Sequence, residues 1–218
     1  MKASKFLTGA ELEIISSAIK DAEKRTGGEL VLRIDTKSDN YHEAYWKSGA
    51  LFLIVYLFAT AVMRIFRIDI PLLTNIYAVL AGAAVSFMAG AITAVIIPPY
   101  RRLIIGREVM HYYADLKARE AFLHEEVFNT KLRTGILIYL SLFEKTAVIL
   151  GDSGINSKVK VNEWQSIAAS ITSGIKENRK AEAIARSIKM CGDLLEKSGV
   201  KKEADDRDEL SNDIRIGR

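Results

Sequence analysis

One cysteine, Cys191, is all the thiol chemistry available in 218 residues. A single thiol excludes an internal disulfide, a Cys-x-x-Cys zinc site and a thioredoxin motif, and it fits a reducing compartment. The three histidines, His42, His111 and His124, lack metal-ligand spacing. No P-loop, Gly-x-Ser-x-Gly elbow or dinucleotide fingerprint occurs, and no nucleophile stands beside its base. Basic residues do not interleave with aromatics as in a base-stacking helix, so nucleic acid is not expected as a partner.

Charge is missing from two long stretches. Ser48–Met63 and Ile76–Ile97 contain no Asp, Glu, Lys or Arg, although such residues make up 27% of the chain. The second run, of roughly 22 residues, is long enough for a ~30 Å hydrocarbon core at ~1.5 Å per residue. The first, of roughly 16, reaches that length if Lys47 and Arg64 snorkel. Tyr45 and Trp46 stand where amphipathic aromatics anchor a helix at the interface. The pair reads as a transmembrane helical hairpin spanning 48–97, and a transporter is not expected because neither crossing offers an ionisable residue to a path. Small residues recur at Ala78, Gly82, Ser86, Gly90 and Ala94. That stripe lets helices approach closely, either within the hairpin or between two copies in a homodimer.

Two crossings return the chain to the side it left. Lys37, Lys47, Arg101, Arg102 and Arg107 flank the hairpin, against Arg64 and Arg67 in its turn. Met1–Lys47 lacks the apolar core of an export signal. Both soluble parts are therefore expected on the cytoplasmic face of an inner or plasma membrane. The net charge of +4 and a pI near 9.0 suit a neighbouring anionic lipid bilayer.

The soluble parts, 1–47 and 98–200, carry regular patterns. Thr8 and Glu11 form a capping-box signature ahead of a stripe at Leu12, Ile15, Ile19 and Ala22, and Gly27–Gly28 end that helix. Leu30, Leu32 and Ile34 alternate as in a strand. A short polar helix, Asp39–Trp46, leads into the first crossing, and Pro98–Pro99 stop the second. Arg107–Phe128 reads as a charged helix. Gly135–Leu142 is a strand covered on both faces, paired in a hairpin with Thr146–Leu150. Asn162 caps a helix whose Trp164, Ile167, Ile171 and Ile175 face the core. Ala181, Ile184, Ile188, Cys191 and Leu195 line the last helix, making Cys191 a core residue. A polar tail, 201–218, is expected to be mobile. A lone strand is unstable in water, so the strand at Leu30 is predicted to join the Gly135–Leu150 pair in one α/β domain, with the hairpin as an insertion.

Arg119–Phe122, Thr130–Ile155 and Trp164, with Gly27–Ile34 upstream, resemble the TPM domain, a family named for thylakoid-lumen, photosystem II repair and receptor-accessory members. The resemblance implies an α/β/α sandwich around a small mixed sheet, here interrupted by the hairpin. It also implies the range of roles seen in that family. Some members bind calcium or another divalent cation, a plant member shows acid phosphatase activity, and others assist membrane complexes. Many relatives carry a signal peptide. For a cytoplasmic domain magnesium is the more available hard cation than calcium.

Asp152, in Gly-Asp-Ser-Gly after the second hairpin strand, matches a recurrent acidic position of the family. It is a candidate metal ligand, or else an aspartate accepting backbone N–H bonds in a turn. Asp205 and Asp206 would add metal ligands if the tail folds back, with Asp208 beside them. Asp35 and Asp39 would lie near Asp152 if the strands run parallel. Arg119 and Arg133 are candidates for a phosphorylated ligand, since guanidinium grips phosphate with two hydrogen bonds; surface ion pairs are the alternative. The leading functional expectation is a membrane-anchored interaction or accessory module for a membrane complex at the cytoplasmic face. The alternative is a divalent-metal-dependent phosphatase of low specificity.

Overall fold

The computed structural model describes residues 3–68, 70, 75–200 and 209–217. The chain divides into two compact units, Met1–Asp39 with His111–Arg218, and Asn40–Met110. Each is described by itself.

The first unit is built on a mixed four-stranded sheet ordered β3-β2-β1-β4. Strand β1 (Glu29–Asp35) runs parallel to β2 (Gly135–Ser141), with Val31 opposite Leu137 and Leu32 opposite Ile138. The two strands predicted to meet from opposite ends of the chain do so. Parallel neighbours need a long crossover rather than a tight turn, and here the crossover contains the whole second unit. Strand β3 (Thr146–Gly151) folds back antiparallel on β2.

Strand alternation sends two sets of side chains to opposite faces. Leu30, Leu32, Ile34, Ile136, Ile138 and Leu140 form one core with Ile15 and Ile19 of helix α1 (Gly9–Arg25). Trp164, Ile167, Ile184 and Ile188, from two later helices, complete it. Val31, Leu137, Tyr139 and Val148 form the other core, against Ala114, Ala118 and Ala121 of helix α5 (Arg107–His124). The weak apolar stripe of α5 has a physical basis: its core face is alanine, which packs a helix closely while adding little hydrophobicity. Every residue of β2 is buried, as its unbroken apolar run requires.

Local chemistry sets the helix ends. The Glu11 amide donates to Thr8 Oγ1 and the Thr8 amide to Glu11 Oε2, closing the capping box of α1. A one-turn helix α6 (Ser153–Asn156) follows β3. Helix α7 spans Val161–Lys176 and α8 Lys180–Lys197. The cap predicted at Asn162 lies two residues earlier, at Lys160. There the Glu163 carboxylate accepts the Lys160 amide at 3.0 Å, which Asn162 does not do. The tail also departs from expectation. Arg215–Ile216 forms strand β4 parallel to β1, and the Gly217 amide donates to Ile34 O at 2.9 Å. Residues 209–217 are thus docked on the sheet edge.

In the second unit, α2 (His42–Ile65) and α3 (Ile76–Ile96) form an antiparallel pair, followed by α4 (Pro98–Ile105). The polar helix and first crossing of the sequence are one continuous helix. The prolines end α3, as expected, but Pro98 also opens α4, because the first helical position has no amide bond to lose. Gly106, at φ +85°, then separates α4 from α5.

Helices α2 and α3 are long and apolar enough to cross a membrane, with mean hydropathies of 1.9 and 2.1, and only 11% of each apolar window is buried. Their mutual face is made of small and hydroxyl residues. A Cβ on Gly90 would stand 2.5 Å from Ser48 O, and one on Gly82 would strike the Tyr56 ring. Ser86 Oγ donates to Phe52 O at 3.0 Å and Ser48 Oγ to Gly90 O at 2.6 Å. Gly82, Ser86 and Gly90 of the stripe therefore pack within the hairpin. A homodimer through that same face would have to displace α2.

Candidate functional site

Asp152 stands at the end of β3 and is 5% exposed. Its Oδ1 accepts the Ser153 amide at 2.6 Å, capping α6, and its Oδ2 lies 2.8 Å from Arg133 Nε. Arg133 also covers the Phe128 ring, 5.7 Å from its centroid. The arrangement is a helix cap with a counter-charge. One carboxylate beside a guanidinium is a poor donor set for a hard cation, which takes several oxygens. Among the described residues no three His, Cys, Asp or Glu side chains converge on a metal-sized point. Asp205, Asp206 and Asp208 lie outside the described residues. The donors seen around Asp152 thus do not fit magnesium or calcium.

The expectation that Asp35 lies near Asp152 is overturned by topology. Asp35 is at the Ser141 end of the β1–β2 pair, whereas Gly151, antiparallel, is opposite Ile136 at the other end. Arg119 and Arg133 are not joined on one ligand either. Arg119 Nε pairs with Asp115 one turn back on α5 at 2.7 Å. That hydrogen bond raises the Arg119 pKa above its usual value.

What Asp35 does join is a polar cluster that the sequence reading did not anticipate. Arg33 Nε donates to Asp35 Oδ1 at 3.1 Å and its Nη1 to Glu125 Oε1 at 2.6 Å. Arg215 Nε of β4 donates to Glu125 Oε2 at 3.3 Å. Tyr139, fully buried, donates to Asp35 Oδ2 at 3.3 Å and lies 3.2 Å from Ser38 Oγ. Burial draws the Arg33 pKa down, but Asp35 and Glu125 outweigh it and the net shift is upward. Burial drives the Tyr139 phenol well above its ordinary value. The cluster is internally matched and fastens β4 to β1. The available signal was Arg33 and Asp35 sharing one face of β1 with Glu29 and Val31, opposite the apolar Leu30, Leu32 and Ile34.

The third place is a groove of about 740 Å³ along β3. As the terminal strand of the sheet order, β3 pairs on one side only among the described residues. The Asp152 amide bonds Gly135 O, and antiparallel alternation then turns the backbone N–H and C=O of Ala147 and Ile149 away from β2. One groove wall is α5 at His111, Asp115 and Arg119, and the other is α7 at Trp164, Ala169 and Lys176. Sequence patterns could place β3 in a hairpin, but only the sheet order makes it an edge.

No family model and no curated protein matches the chain. Among solved structures, the chain is similar to the NMR structure of the BA42 protein from the psychrophilic bacterium Bizionia argentinensis. The TM-score is 0.58 at 23% identity, over 98% of this chain and 97% of that one. That likeness concerns the fold.

Proposed function

We propose that this protein is a membrane-anchored interaction module. In this reading α2 and α3 span the bilayer and hold a TPM-like α/β domain at its cytoplasmic face, beside the membrane complex it assists. The observation that carries the proposal is the outward surface of the hairpin. Ile54, Phe58, Leu80 and Val85 are each 60–70% exposed, and the core helix of a water-soluble protein would bury them. Each such side chain left in water forfeits roughly 1.5–3 kcal/mol of transfer free energy, and a continuous patch of them calls for lipid or protein cover. The basic residues around Arg101 and Arg102 support a cytoplasmic orientation. The mixed sheet covered on both faces is the architecture that the TPM resemblance implies. No observation here favours the phosphatase alternative.

The test is extraction and topology. After alkaline carbonate washing the full chain should stay with the membrane pellet, while a chain with 48–97 replaced by a Gly/Ser linker should be released. A reporter fused after Arg218 should be active only in its cytoplasmic form. Release of the full chain by carbonate, or an external reporter signal, would overturn the reading.

A further inference from the structure

We propose that the groove along β3 binds an extended acidic segment of the partner protein, which adds to the sheet as a further strand. This rests on the interaction-module reading and specifies its site. Three observations converge on it. Ala147 and Ile149 turn backbone donors and acceptors toward the groove, and an extended chain satisfies such groups at about 4.8 Å spacing. The α7 wall presents a small, exposed side chain, Ala169, in a groove of about 740 Å³. The charge on the lining is one-sided. Its only carboxylate, Asp115, is already paired with Arg119 at 2.7 Å, while Lys145 and Lys176 make no ion pair among the described residues.

These features divide the work of recognition. Main-chain pairing to β3 supplies affinity without reading sequence. Lys145 and Lys176 then select carboxylate side chains and disfavour basic ones, since like charge in an interface costs more than a lost contact. Lysine on an edge strand guards against indiscriminate strand pairing; here Lys145, in the turn before β3, and Lys176, at the end of α7, stand beside the edge and favour an acidic strand.

The experiment uses the full chain in nanodiscs and a fluorescein-labelled octapeptide of alternating glutamate and valine, read by anisotropy. Binding should weaken about tenfold or more in the double variant Lys145→Glu/Lys176→Glu. It should also weaken in Ala169→Trp, an exposed position whose indole would fill the groove. Alternate N-methylation of the peptide, which keeps its charge but removes its amide donors, should abolish binding. A lysine–valine octapeptide should not bind. Each variant is first checked for unchanged circular dichroism and thermal midpoint. Equal binding of the two peptides, undiminished binding of the N-methylated one, or no binding at millimolar peptide would each overturn the proposal. So would a dimer in sedimentation that the groove variants dissociate, because a second copy would then be the occupant. Membrane retention and topology are read separately, so failure of the groove leaves the anchored module standing.

Discussion

Arg33 reaches across 92 positions of sequence to donate to Glu125 at 2.6 Å. The other oxygen of that carboxylate serves Arg215 on β4. One carboxylate thus ties the second half of the fold, through the end of α5, to both β1 and the carboxy-terminal strand. Because these side chains are largely shielded from water, removing the carboxylate is costly: it leaves two guanidinium groups under-matched.

Glu125→Gln should therefore loosen β4 before it unfolds the domain. The expected cost is about 1–3 kcal/mol, concentrated at the edge. Hydrogen exchange at the Gly217 amide, which bonds Ile34 O, should accelerate well before exchange at Leu32 in the sheet centre. Uniform acceleration of both amides would mean that the cluster holds the core rather than the tail.

The start of α1 should be acid-sensitive. The Glu11 carboxyl is held below its ordinary value of 4.5, chiefly by accepting the Thr8 amide, with Lys180 also contributing. A carboxylate depressed in the folded state stabilises it above the unfolded-state pKa, and that contribution disappears as pH falls through the folded-state pKa. Cap stability should thus be complete at pH 6 and fade below about pH 4.5. Glu11→Gln should remove this part of the acid dependence and cost under about 1 kcal/mol at neutral pH, since water screens the site. A pH–stability curve below pH 5 that is unchanged by the substitution would contradict this.

Asp152 should behave as a cap rather than a ligand. In Asp152→Asn the amide oxygen can still cap α6, but the charge facing Arg133 is gone. A stability loss below about 2 kcal/mol is expected, reduced by the exposure of Arg133. The thermal midpoint of the native chain should be the same in millimolar Mg²⁺ as in EDTA. A Mg²⁺-dependent rise in the native chain that the variant lacks would restore Asp152 as a metal site.

Local patterns carried much of this fold into the sequence. Thr8–Glu11, the Ile15–Ile19 stripe and the apolar run of β2 each dictate an element through chemistry within a few residues, so helices, strands and the buried Cys191 were readable. Burial raises the Cys191 thiol to about 12, in keeping with its place in the core. The β1–β2 pairing was readable as well, because an unpaired strand has no stable alternative. What escaped depended on distant partners. Arg215–Ile216 is too short to announce a strand and is one only because β1 offers an edge and Glu125 a counter-charge. The separation of Asp35 from Asp152 follows from strand direction. The groove exists only once β3 is known to be terminal. Pro98 was ambiguous, since the same residue ends one helix and starts the next.

The hairpin offers the sharpest steric test. A Cβ on Gly90 would meet Ser48 O, a backbone atom that cannot swing aside, at 2.5 Å. The Ser48 hydroxyl that bonds Gly90 O would be pushed off with it. Gly90→Val should separate α2 from α3 near their Ser48 end and cost about 1–3 kcal/mol, the usual penalty of overpacking, read as a lower thermal midpoint in detergent. Ala84→Leu enlarges an exposed position of the same helix and should leave the midpoint nearly unchanged, since it faces away from α2 and detergent accepts the added methyls. If the two variants lost stability equally, close packing at Gly90 would not be what holds the helices together. If Gly90→Val alone also changed oligomeric state, the small-residue face would have a second use between copies, in competition with α2.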